Sequence, residues 1–368
     1  MTRDELLDRV RHGEPIRGAA LSALSLEGAD LSGAMFEDVR FPPALRGALL
    51  KESTFVGCDF SDADLRGVDL HLATMHRTKL SRARLDDAKL VAATFNECEA
   101  DGAMFARVEA PIATWTKTSM RGASFAGANL DRANFLDVDA HEASFAGANL
   151  EKSTLYQADL RTADLTGANL VLTTLVEAKI GPKSFAGTRL FRTQFMKSEL
   201  AGASFAGMAC AECNFMGADL RGATFEGAVG PMCFFGEAQL EGARLEGADL
   251  RRAIFEKARL ARANLTAAVL EEAYFGHAAA QEAVFVSAKL READFSHADV
   301  TGADFSDAGL YRTKFHMATR DRARLPVGGW LGDDEELARV EGWTPKHGAE
   351  RNTDEGEDEG VVGEGEKR

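Results

Sequence analysis

A repeat of five residues constrains this chain more than any other feature. From Leu45 to Leu325 every fifth residue makes 57 slots, and 50 of them hold Leu, Phe, Ile, Met, Val or Trp. The exceptions are Ala100, Ala110, Ala140, Cys210, Gly230, Ala280 and Arg320. Two residues before a slot stands a small residue, as at Ala123, Ala128 and Ala133, and glycine is frequent two residues after one, as at Gly122, Gly127 and Gly147. A period of five fits neither 3.6 nor 2, which excludes one long helix or one long strand. It suits a short extended segment and a tight turn, repeated, with one large and one small side chain facing an interior. Glycine there supplies the positive φ of a type II turn, and Pro111 and Pro231, directly after slots, suit its first central position. The same period runs in another phase through Ile16, Leu21, Leu26, Leu31, Phe36 and Phe41, and FPPAL (41–45) shifts the register.

A longer period sits on top of this one. ASFAG occurs at 123–127, 143–147 and 203–207, with KSFAG at 183–187, always at multiples of 20 residues. Slots whose number ends in 5 carry 18 of the 23 phenylalanines, while those ending in 0 carry mostly Leu and one Phe, Phe60.

The words SDADLRGVDL (61–70) and RTADLTGANL (161–170) resemble the pentapeptide-repeat proteins, and the resemblance covers about residues 16–325. It implies an all-β fold, a right-handed quadrilateral parallel β-helix, as a solenoid with four pentapeptides per square coil and short N- and C-terminal capping helices. On such a coil ASFAG stacks above itself, and slots ten apart lie on opposite walls, so the slot distribution makes one opposite pair of walls Phe-rich and the other Leu-rich, a constant cross-section that packs densely. Coils stacked at about 4.8 Å would make a rod of roughly 65–70 Å between Leu45 and Leu325. The expected layout has four parts. Residues 1–15 form an N-terminal capping helix, with a Thr2/Glu5 capping box and Leu6, Leu7 and Val10 at helical spacing. Residues 16–325 form the β-helix, with its register shift near 42–45. Residues 326–346 form a C-terminal cap, with Trp330, Leu331 and a short helix covering the last coil. Residues 347–368, rich in Gly, Glu and Asp, form an acidic disordered tail.

The chemistry points away from catalysis. The five cysteines lack zinc spacing and suit a reducing compartment. No apolar h-region or 18-residue apolar run appears, so the expectation is a cytoplasmic protein without membrane insertion, export without a cleaved signal being left open. Cys58, Cys98, Cys210, Cys213 and Cys233 fall on inward positions and read as small buried hydrophobes. His277 and His297 stack outward on adjacent coils, but with no third ligand in their column they read as a surface ladder rather than a metal site. Lys183 occupies an inward position after Gly181-Pro182 and is expected to turn outward in a local bulge. Carboxylates form mixed columns with bases, such as Asp59, Lys79 and Glu99, and no nucleophile elbow, P-loop or dinucleotide fingerprint occurs. No enzyme, cofactor or metal is expected.

Binding remains. Outward residues directly after the slots of one wall read Leu136, Tyr156, Val176, Met196 and Met216, and farther along the residues before the slots read Phe234, Ile254 and Tyr274. A contiguous exposed apolar row of this kind marks an interaction site for a protein partner, either a foreign chain or a second copy in a homodimer. The opposite wall, with Ser124, Ser144, Ser184 and Ser204 beside alanines, is smooth and nearly uncharged. The Thr column Thr54, Thr74, Thr94, Thr114, Thr154 and Thr174 reads as β-propensity with cross-strand stacking. An alternative comes from the family resemblance: some of its members mimic duplex DNA and protect DNA gyrase and related topoisomerases from inhibitors. The net charge of −15 invites this, but residues 1–325 hold 45 acids and 38 bases, a charge of only −7. Duplex DNA carries one charge per about 1.7 Å, so the rod falls well short, and no direct nucleic-acid binding is expected. The opening segment DELLDRV…GEPIRGA also resembles accessory proteins encoded with bacterial type VI secretion systems, which would make the rod an accessory or an injected effector.

Overall fold

A computed structural model describes residues 1–342. Residues Met1–Gly332 make one unit and the chain from Asp333 a second. The first opens with helix α1 (Arg3–Arg11). The Thr2 side chain accepts the Glu5 N–H while the Glu5 carboxylate accepts the Thr2 N–H, and Leu6 is fully buried in the same core as the first coil's Ile16 and Leu21.

The chain then winds into stacked coils. One wall builds an eight-stranded parallel sheet in sequence order from β1 (Ile16–Arg17), β2 (Met35–Glu37), β3 (Thr54–Val56), β4 (Thr74–His76), β5 (Thr94–Asn96), β6 (Thr114–Thr116), β7 (Asn134–Leu136) and β8 (Thr154–Tyr156). Elsewhere the coils join by single parallel bridges at a twenty-residue offset on all four sides, for example Asp64 to Arg84, Asp69 to Lys89, Phe234 to Ile254 and Asp59 to Lys79. Near the start one residue is dropped: Phe36 pairs with Phe55 and Arg40 with Asp59, at an offset of 19, whereas Ala44 pairs with Asp64 at 20. The missing residue therefore falls in the FPPAL corner.

The interior is layered and mostly apolar. Along one wall the rings stack face to face, Phe125 on Phe145 at 5.1 Å and 4°. Across the coil they meet edge to face, Phe125 against Phe135 at 5.9 Å and 89°. Both arrangements suit the ring quadrupole. Each buried large side chain contributes about 1.5–3 kcal/mol. Trp115, the largest, lies between Phe95 and Phe135 on its wall, and the slots that flank it in sequence are Ala110 and Met120.

The surface words also have a local cause. An Asp or Asn one residue before a slot turns its Oδ1 onto the N–H two residues on, as Asp64 does for Arg66 and Asn129 for Asp131. The second residue after a slot takes positive φ whether or not it is glycine: Gly67 at 64°, Arg82 at 58°, Glu272 at 58°. Most corners close with a turn bond, such as Ala63 N–H to Phe60 O at 3.0 Å.

At its far end the first unit adds β10 (Trp330–Leu331), paired in parallel with β9 (Thr313–Lys314), and Trp330 meets Phe315 edge to face at 5.8 Å. The second unit contains α2 (Glu335–Glu341), N-capped by Asp334, with none of its side chains buried. Residues 343–368, including the end of the expected cap and the tail 347–368, lie outside the described residues.

Lys183 corrects an expectation. It does not turn outward. Pro182 is barred from the positive φ its position calls for, so Gly181 takes it (70°), and Lys183 N–H closes a three-residue turn onto Gly181 O at 2.9 Å. The side chain then runs inward, where Nζ donates to Leu160 O and to Ala163 O (2.7 Å). Burial pushes its pKa down to about 8, with Asp164 and Asp159 pulling the other way.

Candidate protein-binding wall

The eight residues singled out from the sequence all fall on the wall that begins with the eight-stranded sheet. Leu136 pairs with Tyr156, and the run continues because Gln157 N–H donates to Val176 O, Glu177 N–H to Met196 O and Lys197 N–H to Met216 O, one coil at a time. Phe234 bridges Ile254, and Ile254 bridges Tyr274. Tyr156 and Tyr274 are the most exposed, at 39% and 37%; the other six are half-buried between neighbouring coils.

The two groups belong to neighbouring columns, and two glycines join them. Position 236 is next in the Met216 column, and it is glycine. The Phe234 ring lies over it: a Cβ on Gly236 would stand 2.7 Å from the ring carbons. The Tyr274 ring covers Gly276 in the same way, and both glycines are buried. Phe234 and Tyr274 therefore lie flat and carry the apolar row on from Met216. The row crosses eight coils, about 34 Å at 4.8 Å per coil. Its rim is polar: Gln157 Nε2 donates to Glu177 at 2.9 Å, and the Tyr156 hydroxyl reaches the same carboxylate at 3.4 Å.

The other walls differ. On the ASFAG wall Ser124 bridges Ser144 and Ser184 bridges Ser204, with Lys183 set between the two pairs. Elsewhere the charges are matched. The Asp-x-Arg words fold into ion pairs across a slot, Asp159 with Arg161 and Asp219 with Arg221, and adjacent coils add Asp62 with Arg82 and Asp87 with Arg107. The Arg221 guanidinium, hydrogen-bonded to Asp219, holds that carboxyl below the ordinary range. The burial expected for the cysteines is found, and it pushes Cys58 and Cys98 up to about 11 and Cys213 to about 12, far from thiolate chemistry. One concavity lies between charged side chains, among Pro231, Met232, Arg251, Arg252, Glu271 and Glu272, and another is lined largely by apolar ones, among them Pro15, Met35, Phe36 and Val56.

A third histidine joins the expected pair. His277 and His297 stack at 4.8 Å and 9°, and His316 meets His297 edge-on at 5.6 Å and 82°. Reading down one column could not find it, because His316 stands in the neighbouring column, one position nearer its slot.

The family profile for pentapeptide repeats matches eight copies, over residues 45–82, 118–157, 143–180, 193–229, 235–271 and 268–307, more than half of the chain. The chain belongs to the pentapeptide-repeat family. No curated protein sequence matches it. Among solved structures of pentapeptide-repeat proteins, it is similar to full-length QnrB1, a plasmid-mediated fluoroquinolone resistance protein, at 17% identity over 57% of this chain and 92% of that one, with a TM-score of 0.30. It is also similar to HetL, involved in heterocyst differentiation regulation in the cyanobacterium Nostoc, at 21% identity over 82% and 96% of the two chains, with a TM-score of 0.19. A thylakoid-lumen protein of Arabidopsis thaliana matches at 26% identity over 31% and 66%, with a TM-score of 0.19. The pentapeptide-repeat chain has no helix among its described residues long and apolar enough to cross a membrane.

Proposed function

We propose that this pentapeptide-repeat protein is a non-catalytic scaffold that docks a protein along the wall bearing Leu136, Tyr156, Val176, Met196, Met216, Phe234, Ile254 and Tyr274. The observation that carries the reading is the continuity of that row. Random surface change would scatter apolar side chains, whereas here Phe234 and Tyr274 fold over Gly236 and Gly276 to extend a row from another column. Flat aromatics and methionines with a polar rim have the composition of an interface core. The pairing of carboxylates with arginines argues for this reading over a DNA mimic, since paired charges do not present the unbroken negative field of duplex DNA. A secretion-system accessory would use the same wall on a component of that apparatus.

The test is the double change Tyr156→Glu and Met196→Glu. Both residues are outward, so the melting temperature should hold while association, with itself by sedimentation or with a captured partner, is lost. Association that survives in both assays sinks the reading. In a gyrase assay the unaltered protein should neither inhibit supercoiling nor protect against a quinolone, and clear protection would instead favour the mimic.

A further inference from the structure

Three of the chain's eight histidines gather on consecutive coils beside Tyr274. His277 and His297 both stand at the second turn position with φ of 58° and 61°, so their side chains leave the coil in the same direction. His277 N–H donates to Ser296 O and His297 N–H to His316 O, which fixes the three backbones one coil apart. The rings follow: parallel for the first pair, nearly perpendicular for the second. His297 and His316 offer ligand nitrogens within 4.8 Å of one another. His316 is buried, His297 half-buried and His277 exposed, which gives one anchored ring, one intermediate and one free to swing.

We propose that His277, His297 and His316 form a binding site for a transition-metal dication. A tetrahedral ion with metal–nitrogen bonds of about 2.0–2.1 Å places its ligand nitrogens about 3.3 Å apart. The ladder sets the three rings on consecutive coils, and the exposed His277 must rotate to bring its nitrogen to the His297–His316 pair. An all-imidazole set selects zinc, copper or nickel over magnesium or calcium. Three protein ligands leave a fourth position open to water or to a donor from a docked chain. The site stands independently of the protein-docking reading, since it needs only the three side chains.

The test uses the full chain and Zn²⁺ alone, followed by calorimetry, with Cu²⁺ and electron paramagnetic resonance to count nitrogen ligands. One equivalent per chain is expected, with three coordinated nitrogens. His297→Ala and His316→Ala should each weaken binding by about tenfold or more, and His277→Ala should remove one nitrogen from the spectrum. His141→Ala and His347→Ala should change nothing. Because His316 is buried, the His277→Ala and His297→Ala proteins, checked for an unchanged melt, carry the decision if His316→Ala unfolds. Absence of a one-equivalent site, or full affinity in the His277→Ala/His297→Ala double variant, overturns the proposal.

Discussion

The rod obeys one sequence rule from end to end, yet the wall that starts at β1 turns its corners in two ways. In the first half, strands β3 to β8 are three residues long, and the corner N–H does not return to its own slot. Cys98 N–H donates instead to Thr118 Oγ1, and the Thr118 hydroxyl donates to Phe95 O from the next coil. Thr78 does the same for Phe55 O, and the Cys98 thiol for Met75 O. In the second half the inward residue is Ala218, Ala238 or Ala258, and its own N–H closes the turn, as from Ala258 to Phe255 O at 3.0 Å. Ser198 stands at the changeover and does both: its N–H bonds Phe195 O and its hydroxyl bonds Leu175 O. A buried carbonyl needs a donor, and at Thr78, Cys98 and Thr118 a small polar side chain from the next coil supplies one, whereas Val138, Ala158 and Ala178 hold the same position without a polar group. Some inward small positions therefore carry a hydrogen-bond donor as well as packing.

The largest effect should ignore the distinction. Phe125→Ala in the first half and Phe215→Ala in the second each remove a ring stacked within its wall and met edge-on by rings opposite. Each should cost about 3–5 kcal/mol in urea unfolding. A large disparity between the two would mean that the halves do not share one kind of core.

A middle-sized effect should separate the halves. Thr118→Val keeps the shape but takes the donor from Phe95 O, which should cost about 1–3 kcal/mol. Ala258→Thr adds a hydroxyl where Phe255 O already has its turn bond, and overpacking should cost about 1–3 kcal/mol. If Thr118→Val melts like the unaltered protein, the side-chain donor is dispensable and the two corners are equivalent.

The smallest effect lies between the halves, at Lys183. Its pKa in the fold is about 8, below the ordinary lysine value, so the folded protein releases this proton first. Between about pH 8 and about pH 10.4 the unfolded chain binds more protons, and stability from this group rises with pH across that window and is flat below it. Lys183→Met should abolish that rise, read as the difference in denaturation midpoint between the two proteins at about pH 7 and about pH 10. Parallel pH profiles for the two proteins would show that the ammonium is solvated rather than buried.

Much of this is legible from spacing. The five- and twenty-residue periods, the opposed Phe walls and the order of the apolar row follow from side-chain size and position alone. What escapes depends on direction within a position. Thr, Cys and Ala all read as small, so the two corners look alike in the sequence. The cost of an unpaired buried charge is the reason to expect the Lys183 side chain in solvent, but the carbonyls of Leu160 and Ala163 accept its ammonium instead. Spacing places Phe234 and Tyr274 on the correct wall, while their lying over Gly236 and Gly276 is a matter of rotamer that spacing does not encode. His316 escapes any reading of one column without its neighbour.

The twenty-residue coil also governs how such a chain tolerates change in length. Duplicating a block of twenty returns every later residue to the wall it left, so the apolar row would grow longer without turning. Duplicating five residues keeps large and small inward positions alternating, but it rotates everything downstream by a quarter turn and seats Phe-rich walls on Leu-rich ones at the join. Phe234, Ile254 and Tyr274 would then face a different side from Tyr156. The one-residue loss at FPPAL shows the remaining case: a corner absorbs it, and Phe41 still stacks on Phe60 at 4.1 Å. The fold would survive all three edits, but a partner spanning the row would accept only the first and the last.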